Sequence, residues 1–154
     1  MKRFPLFVIA ILVTLGALPM LAQENFTLGP VSRVTLVRIK PGRTTEFWAD
    51  VRQNLKPIYE EYKKQGIITN YQIFTKSTAE NAEDWNVGIV LTYQNYAALD
   101  TLTERTDPIT LKFYGSREAR TAAGNRRPEN ATIISSFLIR NVDPRPMTPA
   151  APRP

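Results

Sequence analysis

Histidine and cysteine, which carry much of enzyme chemistry, are both missing from this 154-residue chain. Without histidine there is no Ser-His-Asp triad, no imidazole general base and none of the usual zinc or non-haem iron spheres. Without cysteine there is no thiol nucleophile, no disulfide and no site for a lipoprotein anchor, so the fold must hold itself by burial. Neither a Walker sequence nor a Gly-x-Gly-x-x-Gly run occurs, which leaves no sequence warrant for a nucleotide cofactor. The expectation is a protein with no metal and no cofactor.

The ends are distinctive. Lys2 and Arg3 precede an apolar run from Phe4 to Leu18, followed by small and turn-forming residues up to Ala22. That is the layout of a secretory signal peptide over residues 1–22, with cleavage near Gln23. An uncleaved segment acting as a membrane anchor is the alternative, because the run is only slightly short of a bilayer span. Either way the protein is expected to be exported, periplasmic or secreted, with no other membrane contact. Residues 23–31 read as an N-terminal arm and 32–143 as one domain. The stretch 144–154, "PRPMTPAAPRP", alternates proline with small and basic residues and buries too little to order itself.

The formal net charge is +6. Much of it sits in residues 112–127, where Lys112, Arg117, Arg120, Arg126 and Arg127 face one acid, Glu118. Small anions are candidate partners. Nucleic acid is not expected, since no binding motif is present.

Along the chain, 33–39 is β-branched and aliphatic and ends at Pro41-Gly42. Thr44 or Thr45 is placed to cap a helix in which Phe47, Val51, Leu55, Tyr59 and Tyr62 or Ile58 recur at helical spacing. Pro57 should kink or divide it. Residues 67–76 and 86–93 read as strands, with a polar connection between them. A second helical region follows, with Pro108 expected at the first position of a new helix. Residues 132–142 make the last strand. The order is β-α-β-β-α-β, the α+β pattern of ferredoxin-like units with an antiparallel sheet. Both alternating sets of its strands are largely apolar: Val87, Ile89, Leu91 and Tyr93 against Val90, and Ile133, Phe137 and Ile139 against Ile134 and Leu138. Helices of such a unit cover one face, so the other calls for a partner, and a homodimer supplies it most simply.

The segments "VTLVRIKPG", "TTEFWADV" and "YEEYKKQGIITNYQIFTK" resemble the dimeric α/β-barrel superfamily of ferredoxin-like proteins, and within it small exported bacterial barrel proteins of unassigned function. The resemblance implies a dimeric barrel over about residues 32–142. It fixes no chemistry, because the superfamily spans haem-degrading and quinone-forming monooxygenases, haem-binding chlorite-degrading enzymes and stress-responsive binding domains. The lack of histidine departs from the haem-degrading branch, whose members use it as the axial iron ligand.

Two site expectations follow. Trp48, Tyr62, Tyr71, Trp85, Tyr93, Phe113 and Tyr114 are a large aromatic supply, which core and interface would absorb. Trp48 and Tyr71 are the candidates for lining a cavity between sheet and helices, with Asn70, Gln72 or Thr92 as polar handles. The second expectation is an anion corner: Ser116 caps a helix, Arg117 and Arg120 share its face, and Tyr114 closes one side. A solvated basic helix is the plainer account of that run. The expected function is binding of a small, aromatic or anionic ligand. The alternative is a cofactor-independent monooxygenase-like enzyme acting on an aromatic substrate.

Overall fold

The computed structural model describes residues 26–78, 81, 82 and 84–144. The expected signal segment, Glu83 and the proline-rich stretch from 145 onward lie outside the described residues. Four strands, β1 (Phe26–Ile39), β2 (Asn70–Thr75), β3 (Val87–Tyr93) and β4 (Ala131–Pro144), form one antiparallel sheet in the order β2-β3-β1-β4. With helices between β1 and β2 and between β3 and β4, this is the ferredoxin-like arrangement.

β1 ends as its sequence requires. Arg43 donates its backbone N–H to the Lys40 carbonyl at 3.0 Å, closing a turn in which Gly42 takes φ +74°. Only glycine occupies that region without strain. No threonine side chain caps the helix that follows: Arg43 is its N-cap and Thr44 its first residue. Pro57 divides this helical region as expected. α1 (Thr44–Asp50) passes through a π-helical turn, Val51–Leu55, into α2 (Lys56–Lys64). Proline lacks an N–H and crowds the carbonyl four residues before it, so the preceding turn widens.

Pro108 does not begin a helix. α3 runs unbroken from Leu102 to Tyr114 with Pro108 inside it. Two threonines tie the turns on either side: Thr106 Oγ1 donates to the Leu102 carbonyl at 2.9 Å and Thr110 Oγ1 to the Asp107 carbonyl at 3.0 Å. Gly115 closes α3, and Ser116 caps α4 (Arg117–Asn130), whose hydroxyl accepts the Ala119 N–H at 3.1 Å.

The strands at the open ends are longer than their sequences suggest. β1 starts within the expected arm, and Phe26, Thr27 and Leu28 pair with Pro144, Asp143 and Val142. Backbone pairing, which side-chain composition does not report, extends the sheet there.

Among the described residues, the helices lie against one face. Val37, Val87 and Ile89 from the sheet pack with Phe47 and Val51, and Tyr93 with Ile58, Tyr62, Ile67, Ile68 and Ile109. The other face carries Val34 and Leu36 of β1, Val90 of β3, Phe74 of β2, and Phe137 and Ile139 of β4, by their cross-strand pairing. Phe74, Phe137 and Ile139 are 40 %, 44 % and 40 % exposed. The Phe74 ring occupies the space over Gly88, where a Cβ would meet it at 2.2 Å, so glycine here makes room for an aromatic side chain.

One face assignment in β4 differs from a simple alternation. Leu36 pairs with Ser135 but Val37 with Ile133, so Ile134 is an extra residue, a β-bulge. Ile133 therefore turns to the helix side while Phe137 and Ile139 keep the open side.

Candidate functional site

Between the helix-side face of the sheet and the helices lies a cavity of about 610 Å³. Its walls are largely apolar, with Val37, Ile89 and Leu91 from the sheet, Phe47 and Leu55 from the first helical region, and Ile133 at β4. Lys40, Asp50, Tyr59, Arg127 and Asn130, with Thr35 and Thr132, bring the polar groups.

The charged groups are held by one another. Arg127 Nε donates to Asp50 Oδ2 at 3.2 Å and Arg127 Nη2 donates to the Tyr114 hydroxyl at 2.9 Å. Asn54 Nδ2 donates to the other Asp50 oxygen at 2.6 Å. Asp50 and Arg127 also border a second, smaller crevice of about 330 Å³ between α1, the π-helical turn and α4. The ion pair thus forms part of the partition between an inner apolar space and an outer polar one.

Tyr59 differs from its neighbours. Its ring packs against Tyr71 at 5.5 Å and Tyr62 at 6.3 Å between centroids. Its hydroxyl has no hydrogen-bond partner among the described residues. Burial pushes its pKa from 10.0 up to about 12, against a lowering influence of the Arg127 charge. At neutral pH it is a hydrogen-bond donor. Tyr71 is raised to about 12 as well, by burial and then by its hydrogen bond to Glu60 Oε1 at 2.5 Å.

The residues expected from sequence are divided between the helix side and the open face of the sheet. Trp48 sits on α1, edge-on to Phe47 at 5.2 Å between centroids, and packs at the margin of the core. Tyr71 and Tyr114 touch the cavity's polar lining, through Tyr59 and Arg127 respectively. Asn70, Gln72 and Thr92 lie on the opposite, open face, by their register with one another and with Ser32. Thr92 there shares a 3.0 Å hydroxyl contact with Ser32.

Ser116, Arg117 and Arg120 do not converge. Arg120 Nη1 turns to α3, 3.1 Å from Asp107 Oδ1 and 3.2 Å from Thr110 Oγ1, while Arg117 is exposed. The α4 N-terminus already serves an acid of its own. Hydrogen bonds from the Glu118 backbone N–H and from Ser116 hold the Glu118 carboxyl below its usual range.

Asp50, Tyr59 and Arg127 were not singled out by sequence reasoning. Tyr59 was legible only as part of a helical stripe, and Asp50 as part of a polar face. Asp50 and Arg127 are 77 positions apart, so no local spacing announces the pair. Among the described residues no group of three metal-ligating side chains occurs, and no helix is long and apolar enough to cross a membrane.

No family model matches the chain, and no curated protein matches it. Solved structures similar to it include HapK from Hahella chejuensis, at 10 % identity over 72 % of this chain and 91 % of that one, with a TM-score of 0.49. A dimeric protein of unknown function and ferredoxin-like fold from Bacteroides fragilis is 17 % identical over 75 % of this chain and 97 % of that one, with a TM-score of 0.40. A dimeric ferredoxin-like protein of unknown function from Jannaschia sp. CCS1 is 12 % identical over 73 % and 98 %, with a TM-score of 0.43.

Proposed function

We propose that this is an exported, homodimeric binding protein that takes a small molecule into the cavity between its sheet and its helices. The observation that carries the reading is the cavity itself. About 610 Å³ of largely apolar space with a few convergent polar groups has the size and composition of a small-molecule site. Binding is preferred to catalysis because the chain has no histidine or cysteine to serve as base or nucleophile, and the one carboxylate on the lining, Asp50, is tied to Asn54 and Arg127. The homodimer is supported by the open sheet face, where Phe74, Phe137 and Ile139 stand among Val34, Leu36 and Val90. Export is supported by Lys2 and Arg3 ahead of the apolar run at 4–18.

Gly124 supplies the test. It lines the cavity from α4, and a Cβ added there meets nothing within 4 Å. Gly124→Leu should improve the helix by up to about 1 kcal/mol while filling the space. Native mass spectrometry of protein purified from its own host is expected to show a small-molecule adduct on the wild type and none on this variant. An adduct undiminished in Gly124→Leu, or none on either protein, would defeat the reading. The same spectra test export, with a terminus near Gln23 expected and an intact Met1 on cytoplasmic material as the contrary result.

A further inference from the structure

We infer that the cavity selects ligands with an apolar body and a single carboxylate, received by the Tyr59 hydroxyl and the Arg127 guanidinium; this rests on the cavity being the binding site proposed for it. Three observations carry the inference.

The first is the Tyr59 hydroxyl. Half-buried beside Phe47, Leu55, Ile89 and Leu91, it has no protein partner among the described residues and is not sealed from solvent, so its proton is free to be donated to a ligand in the cavity. Because the phenol is protonated, what satisfies it best is an acceptor. Water does so weakly, whereas a carboxylate accepts a short, charge-assisted bond.

The second is the state of the ion pair. Both carboxylate oxygens of Asp50 are engaged, one by Asn54 and one by Arg127. A cationic ligand would find no free carboxylate among the cavity-lining residues. Arg127 is different. Its bonds to Asp50 and Tyr114 use two of the five N–H donors of a guanidinium, so donors remain for a second acceptor.

The third is the charge of the lining. Lys40, exposed at the rim, and Arg127 stand against Asp50 alone, an excess of one positive charge around a largely apolar, partly open cavity. Coulombic attraction is stronger beside the half-buried Arg127 than at an exposed charge, and one negative charge on the ligand balances the site. Since the polar residues are outnumbered by apolar ones, the remainder of the ligand is apolar.

The test is calorimetric titration of the full-length protein with four probes of one shape: naphthoate, its amide, the aminomethyl analogue and methylnaphthalene. Naphthoate is expected to bind at least about tenfold more tightly than methylnaphthalene, the range of one charge-assisted hydrogen bond, and the amine more weakly than both. Tyr59→Phe keeps the ring and Arg127→Lys keeps the charge. Each should weaken naphthoate by about tenfold and leave methylnaphthalene within about twofold. Circular dichroism and the melting midpoint confirm that each variant is folded, and should Arg127→Lys fail to fold, Tyr59→Phe alone decides.

Equal affinity for all four probes, a preference for the amine, or naphthoate binding unaffected by Tyr59→Phe would overturn the inference while leaving the cavity a binding site. No binding of any probe, together with an adduct-free native spectrum, would remove both.

Discussion

Replacing Phe137 with aspartate separates the two faces of the sheet, and its effect can be worked from the structure. Phe137 keeps 44 % of its surface exposed on the open face. With roughly 200 Å² for a phenylalanine side chain, that is about 90 Å² per protomer and about 180 Å² across a symmetric interface. At about 25 cal/mol per Å² the contribution is about 4 kcal/mol when a partner covers it fully. The dissociation constant should therefore rise by about a thousandfold, before any repulsion between the introduced carboxylates. Sedimentation velocity over a wide concentration range reads this directly. Two neighbours in β3 act as controls. Val90 shares the open face with Phe137, whereas Ile89 faces the helices and is 8 % exposed. Val90→Asp should give a folded monomer, and Ile89→Asp should unfold the chain because it buries an unpaired charge. If Phe137→Asp and Val90→Asp both dimerise with the wild-type constant, the open face is not the interface and the reasoning fails.

Two further predictions concern local structure. Tyrosinate absorbance should show Tyr59 and Tyr71 ionising only near pH 12 in the folded protein, later than free tyrosine at 10.0. Because the folded values are raised, their stabilisation is complete below pH 10 and is lost as pH climbs towards 12; in Tyr59→Phe the late phase should shrink by one tyrosine. Ser116→Ala removes the hydroxyl that accepts the Ala119 N–H and should cost about 1 kcal/mol in chemical denaturation, with no change in probe affinity if the α4 N-terminus is not part of the site.

The topology was legible because it rests on signals that act locally. Pro41-Gly42, the 47–51–55 stripe and Pro57 each constrain their own few residues, and each did so in the structure. Pro108 was misleading for the same reason: a proline is compatible with the middle of a helix when tertiary packing at Ile109 holds the segment. The cavity's polar end was not legible, because it is assembled from the end of α1, from α2 and from the last turns of α4. Arg127 appeared in the sequence as one of five cations in a basic run, and nothing local distinguishes it from Arg117. What separates them is which way α4 presents each to the sheet, and that depends on the chain reversal at Gly115-Ser116. The aromatic supply was likewise visible as a quantity, but packing spent most of it on core contacts such as Tyr62 and Tyr93.

The extra residue at Ile134 means that β4 keeps count. Upstream of it, Ile133 belongs to the cavity; downstream, Phe137 and Ile139 belong to the open face. Loss of Ile134 would only erase the bulge, but adding a single residue between Ser135 and Phe137 would leave every downstream side chain intact yet rotate the strand by half a turn. Leu138 and Arg140 would then exchange places with Phe137 and Ile139, setting a guanidinium into the apolar face and two large hydrophobes towards the helices. Substitutions along β4 can be absorbed one at a time, but a residue added beyond the bulge cannot. The strand's spelling is free to drift where its arithmetic is not.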